Sequence, residues 1–302
     1  MSRPKEMPLA HDRLSTPRQG SSAGTALAAL FAATGFGTAA SAESAAIPSL
    51  GSHDFGWQSN VADWQTPPAG LGHGPIGFDP EHPFTSNAEG ARTGTQPTKR
   101  IGDSKDPVLK PWAAAFMKAT NDEVFSGARD IPFAAQARCY PGGVPGQLLY
   151  PFEPMYFIQK PNEVWMIWQR DHMVRHVVLT DQHSEHITPS WFGDSIGHYE
   201  NGNTLVVDTI GLSTKDSYID NYRTPHTEKL HVVERFTIEA DGQHLVAVVK
   251  VEDPDTFNSP LYMQQRWFKA NEPMKETVCA ENNGDFFNQN LFPLPHADKP
   301  DF

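Results

Sequence analysis

Carboxylates and histidines fall within a segment that carries strong β-strand signals, residues 193–209 (GDSIGHYENGNTLVVDT). Asn201 and Gly202 tolerate a positive φ, as the tight turn of a β-hairpin requires. Side chains alternate between the two faces of a strand, so Asp208 shares a face with Val206 and Thr204. A carboxylate beside an apolar run needs either a partner or a chemical role.

A second carboxylate lies on the predicted strand 230–239, where Glu234 shares its face with Val232 and Phe236. A carboxylate that faces a core either pairs with a cation or has its pKa raised by desolvation. A raised pKa gives a general acid or base that works near neutral pH. Both interpretations stay open, because Arg175 and Arg266 also lie on predicted strands and can form the ion pair.

Acid/base chemistry is the leading interpretation of these groups, with arginine stabilising the negative charge that develops. The predicted catalytic residues are Glu234 as base, Asp208 as acid, and His198 and His226 as proton partners near strand ends. The predicted substrate-binding residues are Arg175, Arg266, Trp165 and Tyr262. For Asp208 the alternative is an outward-facing carboxylate, because the opposite face of its strand would fill a core equally well.

Thirteen histidines require that metal binding be considered. His172 and His176 would share a face only on a helix, whereas their segment has strand character. His183 and His186 flank a short loop and could chelate, but no closed ligand set with a recognised spacing appears. We therefore expect no metal, and the lack of a phosphate-binding or dinucleotide fingerprint predicts no cofactor.

The segment Gly193–Gly197 also matches G-x-S-x-G, the nucleophile elbow of serine hydrolases. That elbow needs a strand before the serine and a helix after it, whereas a hairpin follows here. A hydrolase that uses Ser195 is therefore kept only as an alternative.

The remainder of the chain predicts a mainly β protein. Eight strands are predicted, at 155–159, 163–169, 174–180, 195–199, 204–212, 230–239, 244–252 and 261–269. Strands that follow one another with turns between them favour an antiparallel, lipocalin-like (calycin-type) up-and-down barrel. The alternative is a jelly roll or another β-sandwich, because the connections 180–192 and 213–229 are long enough to cross between sheets.

Residues 1–42 have the pattern of a signal peptide, with a basic start, a short apolar run and Ala40-Ser41-Ala42. An extended, Pro/Gly-rich arm is predicted over 43–138, with short helices at 111–118 and about 122–128. The barrel domain is predicted at 139–280 and a C-terminal tail at 281–302. Export to the periplasm or outside the cell would allow a disulfide between Cys139 and Cys279.

The net charge of −12 repels nucleic acid and anionic lipid, so neither is an expected partner. We also expect no membrane insertion once the leader is removed.

The hairpin motif, together with Arg175, His226 and the run Leu230–Arg235, resembles a group of secreted, mostly bacterial proteins. The likeness covers approximately residues 139–279. Tyr199 stands where tryptophan is usual in that group, which keeps an aromatic ring. The resemblance implies export and a shared site, but no substrate.

These observations predict an exported enzyme of lyase, isomerase, hydratase or cyclase type. It would use cofactor-free acid/base chemistry on a hydrophobic small molecule held in the barrel cavity. The alternatives are a lipocalin-like binding protein for a small hydrophobic ligand and a serine hydrolase.

Overall fold

The computed structural model describes residues 47–279, except 52, 97, 127–134 and 136–138. The nine strands are β1 Gly56–Gln58, β2 Met155–Lys160, β3 Glu163–Trp168, β4 Val174–Val178, β5 Asp194–Glu200, β6 Thr204–Ile210, β7 His231–Ile238, β8 His244–Glu252 and β9 Leu261–Ala270. They form one closed barrel in sequence order.

This closure confirms the lipocalin-like, mainly β prediction, with two differences. The ninth strand, β1, comes from the predicted arm and pairs with both β2 and β9. Three residues that include a glycine are too short to show a strand period. Strands β4 and β5 are parallel, while all other neighbours are antiparallel. The connection 179–193 must therefore cross back along the barrel wall before β5 begins.

The helices lie between β1 and β2: α1 at Asn87–Thr93, α2 at Pro111–Phe125 and a 3-10 helix at Gly146–Leu149. The helix predicted at 111–118 and the start of the one predicted at 122–128 both lie in α2, and the break predicted between them is wrong, because α2 is continuous as far as Phe125. Asn121, which would favour a break, instead donates from Nδ2 to the Gly102 carbonyl at 2.9 Å.

The barrel interior is packed with side chains from alternate positions of each strand. On β8, for example, Leu245, Ala247, Val249 and Val251 are buried, and the residues between them are partly exposed. Large side chains fill the same interior from other strands: Trp57, Phe157, Met166, Phe236 and Trp267. The alternation of side chains along each strand therefore decides which ionisable groups face the core.

The two ends of the barrel differ. At one end the connections β2–β3, β5–β6 and β7–β8 are tight hairpins of at most five residues. At the other, here called the loop end, the long connections β1–β2, β6–β7 and β8–β9 meet. For example, Trp64 Nε1 donates to the Ile219 carbonyl at 2.8 Å across two of these connections.

The predicted disulfide between Cys139 and Cys279 is present, with 140 residues of sequence separation. It ties the segment before β2 to the chain that follows β9. Residues 1–42 and 281–302, predicted as leader and tail, lie outside the described residues. None of the helices within the described ranges has the length and apolar character needed to cross a membrane.

Removal of the disulfide tests its contribution to the fold. In the chain-entropy model, opening so long a loop in the unfolded state costs about 4 kcal/mol of stability. We expect the double variant Cys139→Ser/Cys279→Ser to lose that much free energy of unfolding in urea titrations. The wild-type protein unfolded under reducing conditions is the control and should match the variant. Equal stability of the oxidised and reduced proteins would contradict the prediction.

Candidate functional site

An ion pair between Arg175 on β4 and Glu234 on β7 lies inside the barrel. Arg175 is 1% exposed and Glu234 is 0% exposed. The guanidinium contacts both carboxylate oxygens, at 3.0 and 2.5 Å. It also donates to Ser195 Oγ at 3.1 Å and to Thr209 Oγ1 at 2.7 Å. A buried pair of charges needs such additional hydrogen bonds to offset desolvation.

This geometry corrects the role predicted for Glu234 as the base. Both of its oxygens are engaged by one guanidinium, so neither is available to take a proton from a substrate. Arg175 is likewise committed, to Glu234, Ser195 and Thr209. The structural ion pair, which stayed open in the sequence, is the arrangement that the protein uses.

Ser195 belongs to the same network and has no hydrolytic geometry. It lies within strand β5, is 4% exposed, and contacts Arg175, Thr209 and the Phe192 carbonyl. None of these groups is a general base, which a nucleophilic serine requires.

Asp208 points to the outer wall of the barrel, because Leu205, Val207 and Thr209 take the inner face of β6. On that wall its Oδ1 lies 3.1 Å from His183 Nε2 and 2.8 Å from His231 Nε2. Asp208 and Glu234 therefore lie on opposite sides of the sheet, and the predicted acid/base pair is not assembled.

The contacts of Asp208 continue across four strands as a chain of alternating carboxylates and imidazoles. His183 Nδ1 lies 2.8 Å from Asp194 Oδ2, and His231 Nδ1 lies 3.5 Å from Glu252 Oε2. Ionised carboxylates only accept hydrogen bonds, so an imidazole between two of them is fully satisfied only as the imidazolium. We call Asp194, His183, Asp208, His231 and Glu252 the outer chain.

The pKa shifts agree with that charge pattern. The hydrogen bond to Asp208 raises the pKa of His231 above 6.5. Burial alone would raise the pKa of Asp208, but hydrogen bonds from His231 and His183 outweigh it and hold the pKa below 3.8. The pKa of Asp194 is lowered in the same way, with burial outweighed by the Ser184 backbone N–H and His183. The outer chain thus binds the connection 179–193 to the barrel wall.

Within the described part of the chain, one group of three side chains places potential metal-ligand atoms within 4.8 Å of one another: Glu239, Asp241 and His244. Arg266 Nε and Nη2 donate to the Glu239 carboxylate at 3.3 and 2.6 Å. Asp241 accepts the backbone N–H groups of Gln243 and His244 at the β7–β8 turn. Both carboxylates therefore already have hydrogen-bond donors from the protein itself.

The remaining predicted residues of the barrel lie on its outer wall. His198 Nε2 contacts Glu200 at 2.9 Å and is exposed, so it does not approach Glu234. Trp165 stacks on His176 with ring centroids 4.2 Å apart. Tyr262 donates its backbone N–H to the His73 carbonyl. Arg266 is bound to Glu239. The prediction that Trp165, Tyr262 and Arg266 line a barrel cavity is therefore wrong, because the two-residue period of their strands turns these three side chains outward, whereas Arg175 faces inward.

His226, the last of the predicted catalytic residues, is buried, and one of its two ring nitrogens has no partner among the described residues. It lies in the β6–β7 connection at the loop end and is 6% exposed. Its Nδ1 lies 2.9 Å from the Thr227 carbonyl, which accepts only, so Nδ1 carries the proton. Nε2 is buried and has no hydrogen-bond partner among the described residues. Burial lowers the pKa of His226, which keeps the imidazole neutral and Nε2 a free acceptor.

Other buried polar atoms in the connections of the loop end also lack a hydrogen-bond partner among the described residues, and they include Gln147 Nε2 and Ser217 Oγ. These two belong to segments that touch each other, because a Cβ on Gly143 would lie 2.8 Å from Ser217 Oγ. Gln147 donates its backbone N–H to the Gly143 carbonyl at 2.8 Å. Buried polar groups in native proteins are normally paired with protein or water, so each of these atoms is open to a further hydrogen-bond partner.

Sequence reasoning missed several of these residues. The local pattern suggests His183 only as a chelator with His186, and it gives His231 no partner. Gln147 and Ser217 lie in segments with no periodic pattern, so no local signal marks them. The alternation on β7 does place His231 opposite Glu234, and that signal could have identified it as an outer-wall group.

The chain was compared with family models, with curated proteins and with solved structures, and none of the three comparisons found a match.

Substitution of Glu234 tests the structural role of the inner ion pair. Glu234→Gln should lower the free energy of unfolding by about 3–5 kcal/mol, because it leaves a buried guanidinium without its counter-charge. The matched control is Glu163→Gln on the outer wall, which should change stability far less. Urea unfolding provides the measurement. The double variant Arg175→Met/Glu234→Leu should recover much of the loss, and a Glu234→Gln protein of wild-type stability would contradict the assignment.

Because the outer chain contains both histidine and carboxylates with shifted pKa values, we expect the stability of the protein to pass through an optimum with pH. His231 has a raised pKa, so its contribution to stability is complete below pH 6.5 and is lost as the pH rises through the folded-state pKa. Asp208 and Asp194 have lowered pKa values, so their contributions to stability are complete above pH 3.8 and are lost as the pH falls through the folded-state pKa. We expect His231→Gln to reduce the difference in unfolding free energy between about pH 5 and pH 9. His186→Gln in the exposed loop is the control, and an unchanged pH dependence in His231→Gln would contradict the prediction.

Proposed function

We propose that the protein is an exported enzyme that performs cofactor-free proton transfer on a hydrophobic small molecule, with His226 as the general base. The observation that carries this proposal is the buried, unpartnered Nε2 of a neutral imidazole whose other nitrogen is held by a backbone carbonyl. A general base needs a free lone pair, a fixed orientation and a pKa that keeps it unprotonated, and His226 has all three.

The reaction class follows from what a neutral imidazole does. Nε2 would take a proton from a substrate carbon and become an imidazolium. Return of that proton to a different carbon gives isomerisation, and departure of a leaving group that takes the proton gives elimination. Either sequence balances without a redox cofactor: isomerisation moves a proton within the substrate, and elimination releases the leaving group together with the proton, with no net oxidation or reduction.

We assign the complementary roles to Gln147 and Ser217, whose unpartnered side-chain atoms also belong to connections of the loop end. The amide of Gln147 donates from Nε2, and the Ser217 hydroxyl donates or accepts. Both would hydrogen-bond an oxygen of the ligand at the loop end and stabilise charge that develops on it. The Cys139–Cys279 disulfide is compatible with the oxidising compartment to which the N-terminal pattern points.

Hydrogen exchange into bound compounds tests the proposal even while the substrate is unidentified. The wild-type protein would be incubated in D2O with a panel of hydrophobic compounds that carry a C–H next to a carbonyl. Mass spectrometry then reports deuterium uptake. We expect His226→Gln to slow uptake by at least about 100-fold, the usual contribution of a positioned base. His198→Gln, which changes an exposed histidine, is the matched control and should leave the rate unchanged.

Two results would contradict the proposal. Equal deuterium uptake by wild type and His226→Gln would remove His226 as the base. A ligand that binds tightly and is recovered without deuterium or change of mass would instead favour a lipocalin-like binding protein.

A further inference from the structure

The β8–β9 connection holds a buried carboxylate, Asp253, one residue beyond β8. Asp253 is 2% exposed, and no lysine or arginine in the described ranges forms an ion pair with it. Burial of a carboxylate without a counter-cation is costly unless hydrogen-bond donors surround it.

Neutral donors satisfy all four lone-pair positions of this carboxylate. Asp253 Oδ2 accepts the Thr227 backbone N–H at 2.5 Å and the Thr256 hydroxyl at 2.7 Å. Oδ1 accepts the Thr227 hydroxyl and the Asp255 backbone N–H, each at 3.0 Å. Two of the four donors therefore belong to Thr227, the residue that follows His226.

Thr227 connects Asp253 to the imidazole. Its N–H and hydroxyl are held by Asp253, and its carbonyl accepts the Nδ1–H of His226 at 2.9 Å. The same carbonyl accepts the Leu230 backbone N–H at 3.2 Å, which anchors it to the start of β7. The orientation of the carbonyl is thus fixed from both sides, and rotation of this residue would break up to five hydrogen bonds, since the Lys229 backbone N–H also donates to the Thr227 hydroxyl.

We propose that Asp253 is a positioning residue for His226: it fixes Thr227, and through the Thr227 carbonyl it keeps the proton on Nδ1 and the lone pair on Nε2. An imidazole has two neutral forms, and only the form protonated at Nδ1 presents Nε2 as a base. Asp253 has the protonation state that this role needs. Burial alone would raise its pKa, but the hydrogen bonds from Thr227, Thr256 and Asp255 outweigh burial and lower it.

The inference rests on the proposed function of His226, yet a separate measurement tests it. Long-range 1H–15N correlation spectra of the full chain, labelled with 15N-histidine, report which nitrogen of His226 carries the proton. In wild type we expect a single Nδ1-protonated neutral form at neutral pH. In Asp253→Asn, the amide replaces two acceptor positions by donors, so we expect a mixture of the two neutral forms and a displaced titration midpoint.

Activity supplies the second readout. The rate of deuterium uptake should fall by about 10-fold in Asp253→Asn, the scale usual for partners that orient a catalytic histidine. Asp255→Asn is the matched control, because its carboxylate pairs with Lys229 on the surface and not with Thr227. It should leave both the spectrum and the rate unchanged. If Asp253→Asn does not fold, Thr256→Val removes one donor to Asp253 and should shift the spectrum in the same direction.

An Asp253→Asn or Thr256→Val protein with a wild-type His226 tautomer and titration midpoint would overturn the inference. Failure of the proposed function has a different signature, namely deuterium uptake that does not depend on His226 while the tautomer still depends on Asp253.

Discussion

The buried ion pair between Arg175 and Glu234 is the interaction on which the rest of the barrel depends. Two charges removed from water need every available hydrogen bond, and the nearest donors and acceptors are Ser195 and Thr209. This network occupies the interior at the level of β4 to β7, and apolar side chains fill the rest. A polar network that is fully satisfied also fixes strand register, because a slip by one residue would leave a charge unpaired in the core.

The strand period lets one hairpin serve two networks. Along β5, Asp194 points outward and Ser195 inward, and along β6, Asp208 points outward and Thr209 inward. The inner residues complete the ion pair, whereas the outer ones hold His183 and His231. The crossover connection that makes β4 and β5 parallel is thereby tied to the wall by charge-assisted hydrogen bonds. Neither network presents a free acid or base, and the base that we propose, His226, lies at the loop end.

Local pattern was sufficient to predict β2 to β9, and apolar and polar residues alternate most clearly along β7 and β8. The β8 boundaries at His244 and Glu252 agree with the structure, and the inner position of Glu234 follows from its neighbours. Asp208 could not be placed the same way, since both faces of β6 are apolar enough to fill a core. The pairing of Asp208 with His183 and the link from Asp253 to His226 depend on residues far apart in the chain. Such contacts leave no periodic trace in the sequence, and β1 is too short to leave one.

A crystal structure of the mature protein, at a resolution that shows ordered water and any ligand retained through purification, tests the central claim most directly. The claim is that His226 Nε2 is a free base facing a ligand site at the loop end. The account predicts electron density for a water molecule or a small molecule within hydrogen-bond distance of Nε2, with the Thr227 carbonyl on Nδ1. Nε2 packed only against apolar side chains, or bonded to a protein donor, would contradict it and make His226 a structural residue.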